Sequence, residues 1–310
     1  MLSKKKIIAS VAIMSAAVLG VSQATVAQAA GVTGKVEVFS WWTSGSESAA
    51  LNAILSGLKK SNPGIEIINA AVAGGAGTNA KQVLATRLAA GDTPETWQTH
   101  PGGELKGYVD QASVLDLTAL YKSEGWNKVV PKGLVDSMTY NGKTYSVLTG
   151  IHRANAVWTN KAALRKAGVS LGASVTFAQL EAAAKKLKAA GIAPLCLGDK
   201  DIWTAAQLLE ETLVGELGAA TFNNLAAGKA SWTDAKVVTA VNHFNTMLTW
   251  ANSDHKALDW TGAVAALAKG TCGVNVMGDW AYGELLVKQK KIDSKDFTYG
   301  VFGDPNVFVT

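Results

Sequence analysis

Strand-like and helix-like segments alternate in the first third of the chain, and this alternation constrains the fold more than any other feature. The five segments are, in chain order, residues 35–40, 51–58, 65–69, 79–90 and 95–98. The first, third and fifth are typical of strands, whereas apolar residues in the second recur at the i, i+3, i+4, i+7 spacing of an amphipathic helix. The order β-α-β-α-β predicts an α/β fold, with a parallel sheet covered by helices.

The rest of the chain mixes both kinds of element without a flexible linker. Thr176 and Gln179 have the spacing of a capping box and predict a helix start. A helix-rich stretch is predicted for residues 202–269. Further strands are predicted for residues 143–147, 154–158, 194–197, 273–277, 299–302 and 306–309. Because no Pro- or Ser-rich tract separates these elements, we expect two lobes joined by short crossing strands.

The N-terminus has the three zones of a secretory signal peptide. Three lysines at residues 4–6 precede an uncharged apolar run over residues 7–21, and Ala27 and Ala29 form an A-x-A cleavage pattern. We therefore predict that residues 1–30 are removed and that the mature protein is soluble and periplasmic or secreted. No Cys lies near the cleavage pattern, so a lipid anchor is not expected.

The charge of the predicted mature chain is close to balanced. The whole chain carries 29 basic and 24 acidic residues. The signal segment holds three lysines and no acid, which leaves 26 − 24 = +2. The only basic run outside it is residues 288–291. Nucleic acid is therefore not an expected partner.

Two cysteines, Cys196 and Cys272, occur in the chain. Export permits a disulfide between them. Two buried, reduced side chains are an equally good reading, because no spacing rule pairs these positions. Neither cysteine has a Cys or His at zinc-ligand spacing, so no metal and no cofactor is predicted.

Trp41 and Trp42 follow the first predicted strand directly. In an open α/β sheet, ligands bind beyond the carboxyl ends of the strands. Adjacent strand residues point to opposite faces, so at least one of the two indoles should face the crevice. An indole presents a flat apolar face and one N–H donor, which suits the axial C–H face and hydroxyls of a pyranose. The competing interpretation is one core Trp beside one surface Trp.

Several polar residues lie near the same predicted edge. Glu47 lies at the entry to the first helix, where a carboxylate could accept sugar hydroxyls or simply favour the helix dipole. Gln98 and His100 end the third strand, and both can donate and accept hydrogen bonds. Either could instead be a solvated turn residue. We predict Glu47, Gln98 and His100 as ligand contacts.

A second group of candidates belongs to the later part of the chain. Asp279 and Trp280 open a predicted helix after a strand, so Asp279 is either a helix cap or a ligand contact. We predict both residues as ligand contacts. Trp203 and Trp260 are weaker candidates for aromatic ligand contacts. For His152, we expect a structural role. The Gly-rich segment at residues 74–77 lacks a following Gly-Lys-Ser/Thr, so we interpret it as a tight βα connection and not a phosphate loop.

Taken together, these motifs resemble the extracellular solute-binding proteins of ABC sugar importers, and especially the glucose/galactose-binding members. The likeness spans residues 35–310. It is carried by the strand that ends in Trp41 and Trp42, and by residues 74–80, 96–100, 151–153 and 275–281.

The resemblance implies two α/β lobes around a hinged cleft, with crossings near residues 151–154 and 272–277. The first lobe would comprise residues 31–152, with 277–310 returning to it, and the second residues 153–276. The family's stacking tryptophans and cleft acids map to Trp41, Trp42, Glu47 and Asp279, and its polar contacts to Gln98 and His100. Members run about a hundred residues further, so we expect an incomplete second lobe.

The leading hypothesis is non-catalytic capture of a monosaccharide by a monomer that delivers it to ABC permease subunits. The alternative is a secreted glycoside hydrolase with Glu47 and Asp279 as its carboxylate pair. A metal site is disfavoured because the four histidines are scattered. An amino-acid ligand would want an Arg for its carboxylate, and only Arg153 lies near a proposed cleft segment.

Overall fold

A computed structural model describes residues 32–287 and 297–302 of the 310-residue chain. The predicted signal peptide, the basic run at residues 288–291 and the strand expected at residues 306–309 lie outside these ranges. None of the helices in the described part of the chain combines the length and the apolar composition needed to cross a bilayer.

The first lobe begins with the alternation that the sequence predicts. Its elements are β1 (Gly34–Phe39), α1 (Gly45–Ser61), β2 (Ile65–Asn69), α2 (Thr78–Ala89) and β3 (Thr96–Trp97). The strands form a parallel sheet in the order β2-β1-β3. Its core is a cluster around Phe39, Ala80 and Leu84, which joins the sheet to α2. The chain therefore leaves β1 and β3 at the same edge.

A helical segment completes this lobe. It contains α3 (Gly103–Asp110), α4 (Thr118–Ser123), α5 (Lys132–Ser137), β4 (Thr139–Tyr140) and β5 (Lys143–Thr144). Leu105, Tyr121 and Met138 form its buried core. The strand predicted over residues 143–147 is shorter than expected. Asn141 and Gly142, both at positive φ, close β4 and β5 into a two-residue hairpin, and the pairing covers only two residues on each side.

The second lobe is built on a five-stranded sheet in the order β7-β10-β6-β9-β8. Its elements are β6 (Ala156–Asn160), α6 (Lys161–Lys166), β7 (Ser174–Val175), α7 (Phe177–Ala189), β8 (Ala193–Leu195), α8 (Trp203–Ala226), α9 (Ala235–Leu248), α10 (Trp260–Lys269), β9 (Cys272–Val276), α11 (Trp280–Val287) and β10 (Phe297–Phe302). Every residue of β6 and β9 is buried, as expected for central strands with both faces covered. The capping box at Thr176 and Gln179 is confirmed.

One part of the predicted lobe division is wrong. Residues 277–310 were expected to return to the first lobe, and α11 does pack against α1, although it also packs against α10. β10, however, lies within the second sheet, antiparallel to β6 and parallel to β7. There it pairs backbone groups that these two strands would otherwise leave unpaired.

Cys196 and Cys272 form a disulfide, which resolves the alternative left open by the sequence. Their Cα atoms are 5.5 Å apart, and the bond joins the segment after β8 to the start of β9. Both cysteines are fully buried in a cluster that includes Trp158, Val264 and Leu267. The disulfide is therefore part of the second-lobe core.

Candidate ligand-binding site

A cleft of about 700 Å³ lies between the two lobes. Two crossing segments run side by side at one end of it. There, the Asp279 N–H donates to the Arg153 carbonyl at 2.9 Å, and the Met277 N–H donates to the Ala156 carbonyl at 3.0 Å. Six of the seven ligand contacts predicted from the sequence line this cleft: Trp41, Trp42, Glu47, Gln98, His100 and Trp280.

The end of β1 positions the two tryptophans of the first wall. The Trp41 N–H donates to Gln98 Oε1 at 3.2 Å, and the Trp42 N–H donates to Ser40 Oγ at 3.3 Å. A Cβ at Gly77 would lie 2.6 Å from Trp41 Cε3, so only glycine lets the loop approach this indole so closely. No described aromatic ring lies in stacking range of Trp42, whose indole is half-buried in the cleft wall.

A network of charged and polar side chains lies beside the Trp41 ring. The His100 ring lies 5.1 Å from the Trp41 ring, and Lys81 Nζ lies 5.4 Å from the same ring. Glu104 binds both of these side chains, at 3.0 Å from His100 Nδ1 and 2.6 Å from Lys81 Nζ. Burial opposes ionisation of Glu104, but the hydrogen bonds from His100 and Lys81 lower its pKa to about 2.

Glu47 lies in the first turn of α1 and lines the cleft. Burial raises the pKa of Glu47 to about 7; His152 opposes this shift and Glu284 adds to it. The helix N-terminus would favour a carboxylate, so at this position desolvation outweighs the helix dipole. Glu47 can therefore change protonation state close to neutral pH.

Asp279, the seventh predicted contact, is not part of the cleft lining. Its Oδ1 lies 2.8 Å from His152 Nδ1, and its Oδ2 accepts the Arg153 N–H at 3.1 Å. The hydrogen bond to Asp279 raises the pKa of His152. Although burial works against ionisation, hydrogen bonds from His152 and Arg153 lower the pKa of Asp279. Asp279 thus links the two crossing segments, and its partner His152 lines the cleft. A ligand contact by Asp279 itself stays a prediction.

Three tryptophans from the second half of the chain line the other wall: Trp203, Trp260 and Trp280. The rings of Trp203 and Trp280 are 6.4 Å apart, and all three pack against the apolar cluster that contains the disulfide. Trp280 Nε1 also donates to Met277 Sδ at 3.1 Å. The cleft is therefore aromatic on both sides.

The family model for bacterial extracellular solute-binding proteins matches residues 42–306 of the chain. The chain belongs to this family. Its members are transport receptors and not enzymes, so the glycoside hydrolase alternative is wrong.

Curated relatives include a probable sugar-binding periplasmic protein of Rhizobium meliloti, which is 33% identical over 87% of this chain and 64% of its own length. Another is an ABC transporter extracellular-binding protein of Pyrococcus horikoshii, 33% identical over 82% of this chain and 57% of its own length. The chain thus spans less than two thirds of either relative.

Solved structures share the two-lobed fold. One, from work on xylan utilization by Caldanaerobius polysaccharolyticus, superimposes with a TM-score of 0.78 at 22% identity. The match covers 89% of this chain and 71% of that one.

Several polar cleft residues of this solute-binding protein were missed by sequence reasoning. Asp201 Oδ2 accepts the Gly75 N–H at 3.3 Å across the cleft, and the Gly-rich loop also lines the cleft. Ile202, which follows Asp201, has φ 69°, rare for a β-branched residue. Gln207 and Glu210 on α8 also line the cleft. The sequence offers only one hint that Gln207 and Glu210 line the cleft, namely that they lie near the start of a helix that begins at a Trp.

Within residues 32–287 and 297–302, no group of three or more His, Cys, Asp or Glu side chains could hold a metal ion. The polar groups that line the cleft include carboxylates, amides, imidazoles and hydroxyls on separate elements, which suits a ligand with several hydroxyls.

Proposed function

We propose that the cleft captures a monosaccharide of the glucose/galactose class outside the cytoplasmic membrane and delivers it to the permease subunits of an ABC importer. Family membership, the name of the Rhizobium meliloti relative and the resemblance to glucose/galactose-binding members support this proposal. An exported, monomeric protein with a cleaved signal peptide fits the same role.

The observation that carries the proposal is the pair of aromatic walls. Trp42 on the first lobe and Trp203 and Trp260 on the second present indoles to the same cleft. A pyranose has two apolar faces and a polar rim, and aromatic surfaces can cover such faces while its hydroxyls bond to polar side chains. Glu47 and Gln98 supply such groups on the first wall.

The required affinity is compatible with a ligand of this size. A micromolar dissociation constant corresponds to about −8 kcal/mol. Over the about 12 heavy atoms of a hexose, this is roughly −0.7 kcal/mol per atom, within the range for small ligands. Closing the cleft would bury the hydroxyls against paired polar groups.

Isothermal titration calorimetry on the full chain tests the proposal with D-glucose, D-galactose, D-xylose and a set of oligosaccharides. We expect saturable heat with glucose or galactose, and quenched or shifted Trp fluorescence at the same concentrations. Absence of heat and fluorescence change with every sugar would contradict sugar capture. Transport is tested separately, by importer-dependent uptake of the sugar that binds.

An oligosaccharide is the second candidate ligand, and the size of the cleft favours it. Its volume of about 700 Å³ lies in the upper half of the roughly 300–1,000 Å³ typical of small-molecule pockets, which leaves room for more than the about 12 heavy atoms of one hexose. Trp260 opens α10, whereas Trp203 opens α8, so these two indoles could cover successive sugar units. Heat with oligosaccharides but with no monosaccharide in the same titrations would replace the first candidate with this one.

A further inference from the structure

Glu104 forms a hydrogen bond with one of the two ring nitrogens of His100, beside Trp41 in the first wall. Both oxygens of Glu104 are engaged: Oε1 accepts Thr99 Oγ1 at 2.9 Å and the His100 N–H at 3.3 Å. Oε2 lies 3.0 Å from His100 Nδ1 and 2.6 Å from Lys81 Nζ. His100 Nε2 has no hydrogen-bond partner among the described residues, and the residue lines the cleft.

These contacts decide which nitrogen of His100 carries the proton. An ionised carboxylate can only accept hydrogen bonds, so the 3.0 Å contact requires a proton on Nδ1. Lys81 Nζ could donate to the same nitrogen, but it lies farther away, at 3.5 Å, and already binds Glu104 at 2.6 Å. In the neutral ring, a proton on Nδ1 leaves Nε2 as an acceptor.

We propose that Glu104 is a positioning residue that fixes the Nδ1–H tautomer of His100, so that the site selects a sugar whose hydroxyl donates a hydrogen bond to Nε2. This inference rests on the proposed sugar-binding function. It adds a direction to the His100 contact: the ligand donates and the protein accepts. A carboxylate that orients an imidazole through its other nitrogen is a common means of setting the tautomer.

The direction of the hydrogen bond distinguishes chemical analogues of the same sugar. A sugar hydroxyl can donate a hydrogen bond to Nε2. A fluorine at the same carbon can only accept, and the C–H group of the deoxy analogue does neither. With Nε2 as an acceptor, the fluoro and deoxy analogues at that carbon should bind equally weakly. With Nε2–H as a donor, fluorine would keep part of the interaction that the deoxy analogue lacks.

The tautomer can be measured without a ligand. Imidazole ¹⁵N shifts at pH 8, with the His100 signals assigned from a His100→Gln variant, should show Nδ1 protonated in the wild type. Glu104→Gln removes the obligate acceptor and frees Lys81 to donate to Nδ1, so the Nε2–H form should then dominate. Asp110→Asn breaks the Lys106–Asp110 pair on the same helix and is the matched control. It should leave the His100 signals unchanged.

Affinities for monodeoxy and monodeoxyfluoro glucoses at each ring carbon test the consequence. In the wild type, at one carbon, both analogues should bind about tenfold more weakly than glucose and within about twofold of each other. In Glu104→Gln, the fluoro analogue at that carbon should bind several-fold more tightly than the deoxy analogue. Asp110→Asn should behave as the wild type.

The two levels of the proposal fail differently. If no sugar binds to the wild type, the proposed function fails, and the ¹⁵N measurement still decides the tautomer. If sugars bind but Glu104→Gln keeps the wild-type ¹⁵N pattern and the wild-type fluoro-to-deoxy ratio, Glu104 does not set the tautomer. An equal change in Asp110→Asn would also overturn the inference, because the effect would then be one of helix stability or charge.

Discussion

The two walls of the cleft are held in place by different forces. Polar groups order the first wall: Glu104 binds Lys81 and His100 beside Trp41, and Gln98 accepts the Trp41 N–H. Apolar packing orders the second wall, where three tryptophans rest on the cluster that contains the disulfide. The first wall should therefore respond to charge and pH, and the second to lost core volume and lost cross-links.

The largest effect should follow removal of the disulfide beneath the second wall. Cys196 and Cys272 are 76 residues apart, and the chain-entropy model assigns such a cross-link about 4.5 kcal/mol. The Cys196→Ala/Cys272→Ala double variant should lose about that free energy of unfolding in urea denaturation. The His100 ring ¹⁵N signals, which report the first wall, should stay unchanged. A destabilisation below about 1 kcal/mol, or a change in those signals, would remove the proposed separation of the walls.

A buried acid in α8 should make the second lobe sensitive to pH despite its apolar core. Glu211 is fully buried, and neither side-chain oxygen has a hydrogen-bond partner. Burial, and next the charge of Glu210, raise the pKa of Glu211 to about 8. The folded state binds the Glu211 proton more tightly than the unfolded state does. The contribution of Glu211 to the free energy of unfolding is therefore complete below pH 4.5. It is lost as the pH rises through 8.

Glu211→Met tests that interpretation. Between pH 5 and pH 9 the wild type should lose free energy of unfolding relative to the variant, by about 4 kcal/mol. Glu181→Met, which alters a half-exposed acid on α7, should follow the wild-type curve. Parallel curves for Glu211→Met and the wild type would show that Glu211 acquires a partner or water that the apolar core does not provide.

The first wall should lose ligand affinity more than stability when Trp42 is truncated. Trp42→Ala should cost about 1–3 kcal/mol of sugar-binding free energy, because a half-buried indole in the cleft wall is removed. Calorimetry with the best-binding sugar measures the loss. Trp232, 59% exposed and outside the cleft, supplies the control variant Trp232→Ala. Equal losses in the two variants would assign the effect to global destabilisation.

Local sequence patterns predicted the elements of the first wall, because its residues follow two strands of one parallel sheet. Trp41 and Gln98 are 57 positions apart, yet both positions come from the ends of neighbouring strands. The direction of their contact, in which the Gln98 side chain accepts a backbone N–H, was not predictable. The likeness to a known family supplied the two-lobed arrangement.

The other features of the fold and the site depend on contacts between distant residues, which no local sequence pattern predicts. Asp279 binds residues 126 and 127 positions away, so its link between the crossing segments was not predictable from its neighbours in the sequence. β10 was assigned to the wrong lobe because its strand pattern does not specify its neighbours. Asp201 reaches Gly75 only once both lobes have formed. These outcomes are set by tertiary packing, which overrides what a short segment prefers.

The smallest effect concerns the acid of the first wall and has opposite signs for stability and binding. Glu47 has a pKa of about 7, so its contribution to stability is complete below pH 4.5 and is lost as the pH rises through 7. Ligand affinity should instead rise from pH 6 to pH 8, by about fivefold. An ionised carboxylate accepts sugar hydroxyls more strongly than a neutral acid does, by about 1 kcal/mol.

Glu47→Gln isolates this carboxyl from the other charged groups that influence it, His152 and Glu284. The variant should bind sugar at pH 8 about as weakly as the wild type does at pH 6, and the Glu47-dependent part of the pH profile should disappear. Any slope that persists in Glu47→Gln belongs to the other ionisable groups of the cleft, His100 and the His152–Asp279 pair. If wild type and variant show the same rise in affinity, Glu47 is not the group that makes sugar binding depend on pH, and the prediction is wrong.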